Sequence, residues 1–159
     1  MATLSSFEEL ACWKACRAFR LYARELMRTF PKDEQFGLIS QLRNSSRSTT
    51  HNIAEGFGRR NAMDNARFCR ISSGSLSEAL DQLITALDEG YITQDQMDQG
   101  RELFQAALAR LDGYINYLTR GKQDNILCEP VGIYGIVETK EDPEFNISTS
   151  QPLNLEFNK

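Results

Sequence analysis

Apolar residues recur at three- and four-residue intervals through residues 1–121, and that spacing predicts amphipathic helices. The first is expected to start at Ser6, with Ser6 and Glu9 in the S-x-x-E capping arrangement. Its stripe is Leu10, Ala11, Ala15, Ala18, Phe19, Tyr22, Leu26 and Met27. Phe30-Pro31 stops it, because a residue before proline avoids the α region. The second helix is expected from about Asp33 to Phe57 on Leu38, Ile39, Leu42, Ile53 and Phe57, with Gly56 and Gly58 ending it. The third runs from Asp64, as N-cap, to Glu89. Its inner face is Phe68, Ile71, Ser75, Leu76, Ala79, Leu83, Ala86 and Leu87, and Gly90 is placed for a left-handed cap. The fourth opens on a Thr93/Gln96 box, carries Met97, Leu103, Phe104, Ala107, Leu108, Leu111, Tyr114, Ile115 and Leu118, and closes at Gly121. Short connections between long helices imply antiparallel neighbours. The expected fold is all-α: an antiparallel up-down-up-down four-helix bundle over residues 1–121.

The periodicity stops there. Residues 122–159 contain Pro130, Pro143 and Pro152, are rich in acidic side chains and show no helical repeat. They read as an extended or disordered C-terminal tail. An alternative is a partner-docking segment anchored by Ile133, Tyr134, Ile136 and Val137.

Polar positions make the second helix unusual. Between its apolar residues lie Ser45, Ser46, Ser48, Thr49, Thr50 and Asn52, and the third helix carries Ser72, Ser73, Gly74, Ser75 and Ser77. Serine and threonine are mediocre helix formers, so so many of them call for another explanation. Small side chains let helices approach closely, which suits two middle helices packed tightly within the bundle or across a subunit interface. Asn52, Glu55 and Glu78 are candidates for a structural polar network, with Arg43, Arg47, Arg67 and Arg70 available as partners on the same two helices.

Charge changes the picture further. The chain's net charge of −4 is unevenly placed: residues 14–70 hold 12 Lys/Arg against 5 Asp/Glu, residues 71–122 hold 4 against 8, and residues 123–159 hold 2 against 7. The basic first half permits an anionic partner, while the overall acidity (pI about 5.1) argues against indiscriminate nucleic-acid binding. Candidate nucleic-acid contacts are Arg17, Arg20, Arg24, Arg43, Arg47, Arg59, Arg60, Arg67 and Arg70. The competing reading of the Arg17–Arg20–Arg24–Arg28 row is a solvated helix face.

Catalytic and metal chemistry find little to work with. A carboxylate-bridged metal pair in a bundle needs Glu-x-x-His on two helices; this chain has His51 as its one histidine and no such motif. Serine nucleophile, P-loop and dinucleotide fingerprints are missing. Cys12, Cys16, Cys69 and Cys128 contain no C-x-x-C pair and read as buried free thiols. No cofactor is expected. No apolar run is long enough to span a bilayer and no secretory leader is recognisable, so the expectation is a cytoplasmic protein with no membrane partner.

One resemblance adds to this. Phe30-Pro31 followed by Glu34, Phe36-Gly37-Leu38, Gln41-Leu42-Arg43, Ser45-Ser46, Asn52-Ile53-Ala54-Glu55-Gly56, Arg59, Gly74-Ser75-Leu76 and Glu78 occur in order. Over roughly residues 5–120 the chain resembles the four-helix-bundle family encoded within intervening sequences of bacterial 23S ribosomal RNA genes. The resemblance implies a non-catalytic protein that assembles as a homopentamer. Related bundles serve as accessory proteins of diversity-generating retroelements, binding reverse transcriptase and RNA. Three functions compete: an oligomeric RNA-associated protein, which is preferred; an adaptor docking a partner enzyme such as a reverse transcriptase; and an enzyme using His51, Glu55 and Glu78.

Overall fold

In a computed structural model, which describes residues 5–120, helix caps divide the chain into four α-helices: α1 (Ala11–Leu26), α2 (Leu38–Gly58), α3 (Ala62–Asp88) and α4 (Gln94–Thr119). No strand occurs among the described residues. Residues 122–159, with the expected tail, its docking alternative and Cys128, lie outside them, as does Gly121.

The Thr93/Gln96 box forms as expected: Gln96 N–H donates to the Thr93 hydroxyl at 3.3 Å, and Thr93 N–H donates to the Gln96 side chain at 2.9 Å. Gly90 is left-handed (φ +73°), which lets the Tyr91 N–H turn back onto the Ala86 carbonyl at 2.8 Å.

Four other helix boundaries differ from the sequence expectation. The Ser6/Glu9 box does not close. Ser6 caps a 3-10 turn (Phe7–Glu9) by accepting from Glu8 N–H, Glu9 takes the Ser5 hydroxyl, and extended Leu10 separates that turn from α1. The segment from Asp33 belongs to a second 3-10 turn (Lys32–Gln35), after which Gly37 redirects the chain into α2. Asn61, not Asp64, caps α3: its side chain accepts from Met63 and Asp64 N–H at 2.9 and 3.1 Å. Asp64 instead sits in the first turn, where a carboxylate favours the helix dipole. Nor does Gly56 end α2; it is buried inside the helix, and the left-handed residue beyond α2 is Arg60 (φ 53°).

The helices contact in a ring, α1–α2–α3–α4–α1, with α2 and α3 packed most extensively. Direction follows from side-chain pairs. Ser45 meets Gln82, Ser48 meets Ser75, and the Thr49 carbonyl meets Ser72, so α3 numbers fall as α2 numbers rise. Tyr22 donates to the Gln96 carbonyl, while Tyr91 and Asn65 bridge other helix ends to Glu34 and Tyr114. The fold is an antiparallel four-helix bundle.

Its axis is filled by Phe19, Leu42, Ile53, Leu76, Leu83, Met97 and Leu111, all fully buried. Each contributes on the order of 1.5–3 kcal/mol relative to exposure. The α1 stripe is rotated from the expected one: Cys12, Cys16 and Ala23 face the core, whereas Ala11 and Ala18 face solvent. On α3 the inward residue is Ser72, with Ile71 outside at 42% exposure. Gly74 also points away, and the close approach of α2 to α3 is at Gly56.

Buried hydroxyls are tolerable here because every buried side-chain nitrogen or oxygen among the described residues has a hydrogen-bond partner. Thr49 and Thr50 donate to carbonyls one turn back on α2, and Ser72 donates across to the Thr49 carbonyl at 2.6 Å.

Cys12, Cys16 and Cys69 are buried and free. Desolvation pushes their thiols up, to about 11 for Cys12 and about 12 for Cys16 and Cys69. The folded protein therefore keeps protons that the unfolded chain releases. The resulting stability is intact below the unfolded thiol value of about 8.5 and is lost as pH rises towards 11–12. We expect these three thiols to react with a thiol reagent at pH 8 no faster than the bundle unfolds; rapid modification of more than one thiol per chain would contradict their burial.

Candidate nucleic-acid interface

Four-residue spacing stacks Arg20 and Arg24 on one face of α1, and Arg43, Arg47 and His51 on one face of α2. Side chains so spaced rise about 6 Å along the helix axis. Because α1 and α2 are adjacent and antiparallel, the two rows face a shared groove of about 460 Å³ lined by Arg20, Leu21, Arg24, Met27, Arg43, Ser46, Arg47 and His51. Four guanidiniums and an imidazole border it, and no carboxylate lines it.

Arg20 is held in place: its Nη1 donates to the Thr50 hydroxyl at 2.8 Å, and that hydroxyl donates to the Arg47 carbonyl at 3.1 Å. Desolvation lowers the Arg20 pKa, and the charges of Arg17, Arg47 and Arg24 lower it further. It remains a cation at any physiological pH. The site is thus a half-buried guanidinium crowded by like charges, whose repulsion an anion would relieve. Arg24 is partly neutralised, since Glu25 bridges it at 2.8 Å and Arg28 at 2.6 Å. Arg20, Arg43 and Arg47 take no part in the ion pairs found among the described residues.

The remaining candidate arginines lie elsewhere. Arg59 pairs with Glu55, which raises its pKa, and stacks over the Phe68 ring at 4.8 Å. Arg60 occupies the α2–α3 turn, and Arg67 and Arg70 are exposed on α3. The structure thus gathers Arg20, Arg24, Arg43 and Arg47, with Arg17 near enough to act on Arg20, and leaves Arg59, Arg60, Arg67 and Arg70 outside this groove.

Asn52, Glu55 and Glu78 each have separate partners. Asn52 donates to the Ser48 carbonyl and hydroxyl, both at 2.9 Å; Glu55 holds Arg59; and Glu78 accepts from Gln82 at 3.4 Å. The contacts joining α2 to α3 run through Ser45–Gln82, Ser48–Ser75 and Ser72–Thr49. Asn52 and Glu78 each bond a member of them, through Ser48 and Gln82, while Glu55 stands apart. His51 is exposed in the arginine groove rather than joined to either glutamate. Among the described residues, no group of three His, Cys, Asp or Glu side chains is placed to hold a metal ion, and no helix is long and apolar enough to cross a membrane.

Sequence reasoning placed the arginines but not two residues that shape the groove. Thr50, counted among the small polar residues, is the anchor for Arg20. His51, weighed there as a catalytic group, continues the Arg43–Arg47 row by one more four-residue step, a spacing visible in the sequence.

Residues 8–113, which are 106 of the chain's 159, match the model of a known family, the 23S rRNA-intervening sequence proteins. No curated protein matches the chain.

Proposed function

The chain belongs to the 23S rRNA-intervening sequence protein family, and from that premise we propose that it is a non-catalytic RNA-associated protein. It holds the RNA backbone in the α1–α2 groove. One observation carries this reading: three arginines without ion pairs border an open groove that lacks any carboxylate, in a chain whose net charge is −4. Such a site favours polyanions without making the whole surface basic. Arg20, Arg43 and Arg47 supply charge-assisted hydrogen bonds to phosphate oxygens, with Arg24 and Arg17 adding charge at the border.

Assembly as a homopentamer is part of the proposal. Met63 and Ile71 on α3, 38% and 42% exposed, offer apolar contact area for a second copy. A second reading, an adaptor that docks a partner enzyme such as a reverse transcriptase, is favoured by Tyr117. This residue is 61% exposed, stacked with Tyr114 at 6.3 Å, and borders a groove with Leu10, Ala11 and Gly113.

Salt dependence tests the preferred reading. About four neutralised phosphates give a log–log slope of roughly −3, so RNA affinity should fall roughly 50- to 150-fold between ~50 and ~200 mM salt. Affinity no better than that of an unrelated acidic protein at ~100 mM salt would reject it.

A further inference from the structure

Phe36 is the most exposed large apolar residue among the described ones, at 90%, yet the turn that carries it is firmly built. Phe36 follows the Lys32–Gln35 3-10 turn and precedes Gly37. The Glu34 carboxylate accepts from the Leu38 N–H at 2.8 Å and from the Tyr91 hydroxyl at 3.2 Å, tying the turn to the start of α2 and to the α3–α4 connection. Phe30 is buried beneath it and packs on Tyr91, with ring centroids 5.7 Å apart. Gly37 N–H donates to the Glu34 carbonyl, and a side chain at Gly37 would collide with the Glu34 carboxylate. One aromatic of this turn is therefore buried and the other held out in water.

The arginine groove runs towards this turn. It passes from Arg20 and His51 to Met27 and Arg43, and Arg43 lies seven residues after Phe36. The five helical steps from Leu38 to Arg43 rise about 7.5 Å, and Phe36 lies two residues before that helix starts.

A positively charged groove with a protruding aromatic in the turn at its Met27–Arg43 end is a combination suited to single-stranded nucleic acid. Phosphates meet the arginines, and a base stacks on the ring. A duplex offers no free base face, because its bases are already stacked on one another. We propose that the groove takes a single RNA strand and that Phe36 stacks an unpaired base of that strand. This rests on the reading of the α1–α2 groove as an RNA-backbone site and adds the class of RNA that it selects.

The test uses the full chain, a fluorescein-labelled single-stranded RNA oligomer and its blunt duplex. Parent, Phe36→Ala and Phe36→Tyr are compared at equal salt, and the assembly size of each variant is measured by sedimentation. The expected result is tighter binding of the single strand than of the duplex. Phe36→Ala should weaken the single strand about tenfold, with its salt slope and the duplex affinity unchanged, while Phe36→Tyr restores binding. Equal losses on strand and duplex, no loss on either, or a changed assembly size in Phe36→Ala would overturn the stacking role. Absence of RNA binding by the parent protein would instead overturn the backbone-site reading itself, so the two failures are distinct.

Discussion

Gly56→Ala should unfold at lower denaturant than the parent protein, and Gly74→Ala should unfold at higher. Both glycines sit inside helices, where alanine is worth about 1 kcal/mol more than glycine by intrinsic propensity. What differs is the space a methyl group would enter. A Cβ at Gly56 would lie 2.8 Å from the Phe68 Cβ, 2.9 Å from the Asn65 Oδ1 and 3.2 Å from the Asn65 Cα. The last of these is backbone, so α3 itself must retreat. Asn65 also donates to the Tyr114 hydroxyl at 2.9 Å and accepts from the Cys69 thiol, so its displacement reaches α4 and the core. Overpacking of this kind costs about 1–3 kcal/mol, which outweighs the propensity gain. A Cβ at Gly74 meets nothing within 4 Å, and there the gain of about 0.5–1 kcal/mol stands alone. Urea midpoints of the two variants check this. Equal stability in both would mean that α2 and α3 do not approach as closely at Gly56 as the structure has them.

That pair also marks how far the bundle was legible in the sequence. Helical spacing of leucines, isoleucines and phenylalanines announces four helices, because a helix that buries one stripe must repeat its apolar residues with each turn. The fine geometry was less visible, for identifiable reasons. Two good capping residues stand three apart at Asn61 and Asp64, and only the structure shows Asn61 accepting from both first-turn N–H groups. At Ser6 and Glu9 the box residues are present, but the extended conformation of Leu10 separates them from α1. Cys12 and Cys16 are the buried free thiols the sequence suggests, yet the expected α1 stripe leaves them out of the core they help fill. Ile71 and Ser72 reverse the expected order, since a hydroxyl that reaches the Thr49 carbonyl can be buried without loss while an isoleucine can remain outside.

The arginine groove was half legible. Rows of arginine at four-residue spacing can be read from one chain, but which rows face each other depends on how α1 and α2 are paired. That pairing joins Arg20 and Arg24 to Arg43 and Arg47 and leaves Arg67 and Arg70 on another helix. The exposure of Phe36 was not legible at all. It follows from a 3-10 turn where helical periodicity predicted a continuous helix.

The second large effect is expected at α2. Replacing Arg43 and Arg47 together by alanine should weaken RNA binding most at low salt and should leave the fold intact. Neither side chain takes part in an ion pair among the described residues, and alanine favours the helix. Changing Arg101 and Arg110, both exposed on α4 across the bundle, removes the same charge from another face. This control separates the groove from net charge, because a long-range field effect would lower binding equally in the two double variants. Contacts within the groove are local and are lost only in the first. The α4 pair should therefore bind RNA nearly as the parent does.

The most direct measurement is the slope of log affinity against log salt for the parent, the Arg43→Ala/Arg47→Ala variant and the Arg101→Ala/Arg110→Ala variant, on one single-stranded RNA. Two lost phosphate contacts should flatten the slope by about 1.4 in the groove variant and leave the α4 variant at the parental value. Parallel lines for parent and groove variant, or equal flattening in both double variants, would contradict the assignment of the α1–α2 groove as the RNA-backbone site.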